Sequence, residues 1–266
     1  MKSLNLQIAE QIIIPSSTIF WFRRDLRLQD NAGLYAALKE NKNVIPVFIF
    51  DTEILNKLED KTDRRVEFIH QSLRLLKTEL EAMGSSLLVL HGNPVDLYKK
   101  LNPKAVYANH DYEPYSRKRD AAVKSIFEKR EIAFKTFKDQ VIFEKNEIVK
   151  DDGNPYTIFT PYSRKWKANL NAFFLSSYPV EKYSSHFLKT KALPFPTVED
   201  LGFKSSGIDF PERVVKASII NKYDTQRNFP AIRGRAFDEW TGFSCLHGTL
   251  PLSAGLLECP LTAGER

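Results

Sequence analysis

The chain has 266 residues, 42% of them hydrophobic and 12% aromatic, which is enough for one large or two modest domains with a buried core. Its net charge of +6 tilts weakly toward an anionic partner. Two cysteines, Cys245 and Cys259, exclude a disulfide framework and fit a reducing, cytoplasmic setting, and no apolar run reaches membrane-spanning length.

Gln7, Glu10 and Gln11 interrupt anything like a signal h-region beside the short apolar patch Ile12–Ile14, and residues 1–17 read as a mobile leader or an overextended start. Ile19 to Phe22 then predicts a buried strand, followed by a helix through Ala32, Leu34, Ala37 and Leu38 that Asp30 or Asn31 can cap. Arg23, Arg24, Asp25 and Arg27 therefore fall at the strand's C-terminal edge, where they form either a structural ion-pair cluster or a device that positions a ligand or neighbouring domain. Val44 to Phe50 predicts a second strand ending at Asp51. Val66, Ile69, Leu73, Leu76 and Leu80 recur at spacings of three and four, so Arg65 to Met83 predicts an amphipathic helix that Gly84 stops. Leu87–Leu90, Ala105–Ala108 and Ile132–Phe137 predict three more strands, separated by helices from Pro94 to Leu101 and from Pro114 to Arg130. Strands alternating with helices imply an α/β fold, a Rossmann-like parallel five-stranded sheet with flanking helices over residues 18–137.

From Lys138 to Pro196 the pattern becomes a long connection rich in Pro, Ser, Tyr and Lys, which is expected to wrap over other surfaces; its Phe159, Tyr162 and Trp166 are expected to pack on the α/β unit. Residues 197–232 read as the start of a helical domain. Arg233 to Arg266 has no sustained helical period, being broken at Gly234, Gly242, Gly248, Pro251, Gly255, Pro260 and Gly264. Cys245, His247 and Cys259 lack paired ligand spacing, so no metal is assigned.

Several chemistries are excluded by what the loops lack. The first strand-helix turn has no Gly-x-Gly-x-x-Gly, and its Arg and Leu residues would block the close backbone approach a pyrophosphate needs. Gly84, Gly92 and Gly153 stand alone, without the Gly-Lys-Ser/Thr ending of a phosphate loop, and no nucleophile elbow accompanies the scattered histidines. What remains is a pocket at the sheet edge, where Asp51 and the run Asn109-His110-Asp111-Tyr112-Glu113 converge with Arg65 at a helix start; the alternative is helix capping and surface pairing by Asp111 and Glu113.

Three stretches resemble the DNA photolyase and cryptochrome family: Trp21-Phe22-Arg23-Arg24-Asp25-Leu26-Arg27-Leu28-Gln29-Asp30-Asn31, the run from Asn154 to Trp166, and Lys222-Tyr223-Asp224-Thr225-Gln226-Arg227-Asn228-Phe229-Pro230-Ala231-Ile232. The resemblance spans residues 18–232. It implies light-driven repair of cyclobutane pyrimidine dimers in UV-damaged DNA by electron transfer from reduced FAD, on a dimer flipped out of the duplex. It further implies Tyr223 as an FAD contact, Arg227 as a DNA contact, and Asp51, Arg65, Asp111 and Glu113 as contacts to an antenna chromophore. Tyr115 and Ser116 stand where folate-binding members place an amide and a carboxylate, which favours a deazaflavin-type antenna over folate.

After Ile232 the resemblance stops, where the family continues into a phosphate-binding turn and a long helical domain. The tail is therefore expected to be a shifted reading frame or a truncated gene model, leaving an incomplete, inactive FAD-binding domain and a chain that associates where the complete protein would be a monomer. Trp21, Trp166 and Trp240 do not match the family's electron-relay tryptophans. Two alternatives stay open: a cryptochrome-like blue-light sensor, and a stand-alone α/β nucleotide-type binding module.

Overall fold

The computed structural model describes residues 4–207, Ala217 and residues 221–226. The apolar runs become five parallel strands: β1 (Thr18–Phe22), β2 (Val44–Asp51), β3 (Leu88–Gly92), β4 (Ala105–Asn109) and β5 (Ala133–Phe137). Their order in the sheet is β3-β2-β1-β4-β5, with Thr18 of β1 level with Val44 on one side and Ala105 on the other. The Rossmann-like reading therefore holds. β1 and β2 are buried on both faces, as their unbroken apolar runs require.

Side chains alternate across the sheet and divide the core in two. Phe20 and Phe22 point to one face, against Leu34 and Leu38 of helix α2 (Ala32–Glu40) and Leu73 and Leu76 of the long helix α4 (Arg64–Ala82); a short helix α3 (Thr52–Leu55) lies between them in sequence. Ile19 and Trp21 point to the other face, against helices α1 (Leu4–Ile12), α5 (Pro94–Lys100) and α6 (Pro114–Glu128). Each fully buried Leu or Phe of this kind contributes about 1.5–3 kcal/mol of transfer free energy. Asn31, Asp51, Asp63 and Asn93 cap α2, α3, α4 and α5 by accepting backbone N–H bonds, so the loops at the sheet's C-terminal edge are held at fixed angles.

The N-terminal segment differs from the expected mobile leader. Leu6, Ala9 and Ile13 recur at helical spacing and are buried on the sheet, and the Asn5 amide donates to the carbonyl of Val89 at 2.7 Å. Gln7 and Gln11, which break the apolar run in sequence, lie on the exposed side of the same helix.

The connection after β5 returns across the molecule. The Tyr178 N–H donates to Asp30 at 2.8 Å, His186 Nδ1 bonds the Leu38 carbonyl at 2.7 Å, and Phe187 bridges to Val44 beside β2. Helix α7 (Phe159–Asn169) and the turn of helix α8 (Ala172–Leu175) bury no residue. Phe159 is 77% exposed, Ile158 66% and Phe173 71%, contrary to the expected packing of this stretch on the sheet, although Trp166 does meet Phe143 at 5.6 Å.

Residues 197–203 pack on the α/β unit. A capping box between Thr197 and Asp200 forms a turn of 3-10 helix, and Val198, Leu201 and Phe203 join the same core cluster as Phe20 and Leu73. The segment is pinned to α4 by buried Glu67, which accepts from the Ser205 hydroxyl at 2.6 Å and from both the N–H and hydroxyl of Ser206, and by His70, whose Nε2 lies 2.8 Å from the Pro196 carbonyl. Those hydrogen bonds, Ser205 first, hold the Glu67 carboxyl below its ordinary value. A depressed carboxyl stabilises the fold above its unfolded value, about 4.3, and that stability is lost as pH falls through the lower folded value. The protection of the Ser206 amide against hydrogen exchange, taken relative to its intrinsic rate at each pH, is therefore expected to fall in acid before that of the sheet. Glu67→Gln is expected to show the same loosening at neutral pH, with a loss of about 1.5–3 kcal/mol in urea unfolding.

Candidate functional site

The strand order reverses between β1 and β4, so the crevice beyond their C-terminal ends is the topological switch point at which open α/β sheets bind ligands. Here it is filled by side chains. Asp25, 1% exposed, accepts from the Arg23 N–H at 2.9 Å, from the Asn31 amide at 3.2 Å and from the Asn109 amide. Asn109 in turn donates to Asn31 at 2.9 Å and accepts the Gly33 N–H at 2.8 Å. A Cβ on Gly33 would lie 2.5 Å from the Asn109 oxygen, so only glycine lets α2 approach this closely. Below it, Arg27 holds Asp139 with two bonds of 2.9 and 2.8 Å, and Asp139 also accepts the Ala32 N–H at 3.0 Å. Burial pushes the Asp139 carboxyl up against the pull of Arg27.

A second cluster lies over Trp21. The buried Arg119 of α6 stacks on the indole at 4.8 Å and Arg23 does so at 5.0 Å, the two guanidiniums sharing Asp120. Asp51, at the end of β2, and Asp111, after β4, come within 3.7 and 3.8 Å of Arg119. The Tyr115 hydroxyl donates to Asp51 at 2.7 Å; burial, then this bond to a carboxylate, pushes the phenol's pKa up.

The sequence-derived residues therefore separate. Asp51 and Asp111 converge, but on Arg119 and Tyr115, which occupy the space between them. Glu113 stands at the start of α6 without a side-chain capping bond and instead pairs with Arg24 at 3.2 Å. Arg65 turns to Asp63, with its guanidinium at 2.6 Å and its side chain 70% exposed, and does not join the cluster. His110 bonds Glu144 at 2.8 Å. Tyr223 is half-buried at the head of the helical turn Tyr223–Gln226. Arg227 and the tail with Cys245, His247 and Cys259 lie outside the described residues. Arg119 is the residue that spacing alone could have found: with Ser116, Val123 and Phe127 it falls on the buried stripe of α6.

Known proteins match this architecture. A 31.6 kDa protein encoded in the atpI 5' region of Synechococcus sp. strain PCC 6716, itself uncharacterized, is 33% identical over 82% of this chain and 81% of its own length. A deoxyribodipyrimidine photo-lyase of Synechococcus sp. strain PCC 6301 is 32% identical over 81% of this chain and 48% of its own length, so the chain spans about half of the photolyase it matches. The crystal structure of an archaeal photolyase from Sulfolobus tokodaii, described with two FAD molecules and the implication of a novel light-harvesting cofactor, superposes with a TM-score of 0.51 at 34% identity, over 58% of this chain and 36% of that one. A family model described as DNA photolyase matches residues 18–182, from the first residue of β1 into the connection. With that match covering well over half of its length, the chain belongs to the DNA photolyase family.

Proposed function

We propose that this chain supplies the α/β portion of a light-driven DNA repair enzyme that splits cyclobutane pyrimidine dimers. The observation that carries the reading is the family match running unbroken through the sheet and into the connection. The filled switch point agrees with it: Asp25, Asn109 and the Arg27–Asp139 pair leave no glycine-lined cradle for a dinucleotide, so redox chemistry has no seat on the sheet itself. Reduced FAD, where bound, supplies the electron for dimer splitting. From this chain, Tyr223 contacts the flavin and Arg227 a DNA phosphate, each role resting on the resemblance. The exposed Ile158, Phe159 and Phe173 offer an apolar surface on which a helical, flavin-binding portion can pack, which gives α7 a reason to bury nothing on its own sheet.

The Asp51–Asp111 cluster is the candidate antenna site. Its two carboxylates suit a hydrogen-bonding planar heterocycle of the deazaflavin type, flanked by Glu113 and with Arg65 outside it. Tyr115 closes Asp51 in the present arrangement, so a chromophore enters only as that side chain swings out. The repair reading is tested in a bacterium lacking photolyase, by expressing residues 4–207, which include α1 and the segment bonded to Glu67, joined to the part of the Synechococcus PCC 6301 enzyme that this chain does not match. Survival after UV is expected to rise under blue light and not in the dark. Equal survival in both, from a chimera that folds and binds flavin, rejects repair.

A further inference from the structure

A groove of about 450 Å³ lies between α6 and the edge strand β5, on the far side of α6 from Tyr115. One wall is Arg117, Ala121 and Lys124, spaced by four and three along the helix; the other is Phe134 and Thr136, two apart on the strand. His110, Tyr112 and Lys145 close the end above the sheet. The volume is that of a small-molecule site.

The charges in the groove do not balance among themselves. Asp111 and Asp120 reach it, but Asp120 pairs with Arg23 and Arg119, and Asp111 faces Arg119 and Arg24 at 3.8 Å. Glu144 accepts from the Tyr112 hydroxyl at 2.7 Å and bonds His110 at 2.8 Å, while His110 Nε2 lies 3.1 Å from the Thr136 hydroxyl. Burial works against the Glu144 anion, but the bonds from Tyr112 and His110 prevail and keep it ionised. What is left is cationic. The Arg117 guanidinium has no partner among the described residues, and Lys124 has only an exposed pair with Glu128 at 3.5 Å. Lys145 is held at φ 50°, in the left-handed region that a lysine rarely adopts, with Glu144 at 3.6 Å. Beside these cations sit two aromatic rings, Phe134 half-buried and Tyr112 fixed through its hydroxyl.

We propose that this groove binds a nucleoside monophosphate or a ligand of the same chemistry, a planar aromatic ring carrying a phosphate. Arg117, Lys124 and Lys145 would take the phosphate, for which a free guanidinium is the best-matched side chain, and Phe134 and Tyr112 would take the ring. The site is independent of the repair reading, since it needs neither light, flavin nor damaged DNA.

Calorimetric titration of the full chain with AMP tests it, beside adenosine, inorganic phosphate and a single-stranded oligonucleotide. One saturable site for AMP is expected, with adenosine and phosphate alone each weaker by about tenfold or more. Arg117→Ala with Lys124→Ala is expected to weaken AMP by about tenfold, and Phe134→Leu to weaken AMP while leaving inorganic phosphate unchanged. Lys100→Ala, on an exposed turn of α5, is expected to change nothing, and circular dichroism confirms that each variant is folded. Absence of saturable binding at millimolar AMP overturns the proposal. So does an equal loss in Lys100→Ala, phosphate binding as tightly as AMP, or an oligonucleotide binding more tightly than AMP, the last assigning the groove to a nucleic-acid backbone.

Discussion

Arg27→Leu is expected to cost about 3–5 kcal/mol, among the largest losses any single change in this chain would produce. The guanidinium and the Asp139 carboxylate are 5% and 2% exposed, so removing one leaves the other charged and buried beside Asp25. The pair joins the loop between β1 and α2 to the second residue after β5, 112 positions away, which makes it a clasp across the sheet. Burial already raises the Asp139 carboxyl with Arg27 present, and the substitution raises it further. A carboxyl raised in the folded state favours the fold only while protonated, so the deficit of Arg27→Leu should be full at neutral pH and shrink as pH falls through the folded value. Adding Asp139→Asn should recover a large part of the loss at neutral pH. Urea unfolding of the two single variants and the double variant measures this, and additive losses would deny the coupling.

Trp21→Ala is expected to cost a comparable amount, about 3–5 kcal/mol, through the cavity it leaves near the C-terminal end of β1. The indole is 1% exposed and meets Tyr98 edge-on at 5.1 Å. It also carries two guanidiniums, Arg23 and Arg119, on its ring, and these in turn orient Asp51, Asp111 and Asp120. The substitution should therefore loosen the candidate antenna site as well as the core, whereas Trp21→Phe should retain most of the packing and lose mainly the cation–π part, about 0.5–2 kcal/mol. Urea unfolding gives the stability, and hydrogen exchange at the first turn of α6 reports the site. Unchanged exchange there in Trp21→Ala would show that Arg119 is held without the indole.

The sheet was legible because β1 and β2 are long apolar runs, the shorter and more mixed β3, β4 and β5 fall between helix signals, and the buried stripe of α4 recurs at three and four. α1 is short and its buried face is only Leu6 and Ala9, continued by Ile13 at helical spacing, a weak signal between Gln7, Glu10 and Gln11. The site was half legible. Strand ends place Asp51 and Asp111 at the same edge, and the buried stripe of α6 marks Arg119, but nothing in that spacing says that its guanidinium comes between the two carboxylates. Arg65 sits at a helix start, as read, yet its adjacent Asp63 captures it. The Arg27–Asp139 clasp joins segments so distant in sequence that no local pattern announces it. The exposed aromatics of α7 were read as core because aromatic residues usually are; their exposure became visible only with the fold.

The most direct test of the account is loss of cyclobutane dimers from a defined oligonucleotide. It uses purified, flavin-loaded chimera in which residues 4–207 of this chain replace the matching half of the Synechococcus PCC 6301 photolyase. Light-dependent disappearance of the dimers, absent in the dark and absent with residues 4–207 omitted, is the predicted result. A folded chimera that holds its flavin and leaves the dimers intact under blue light would contradict it.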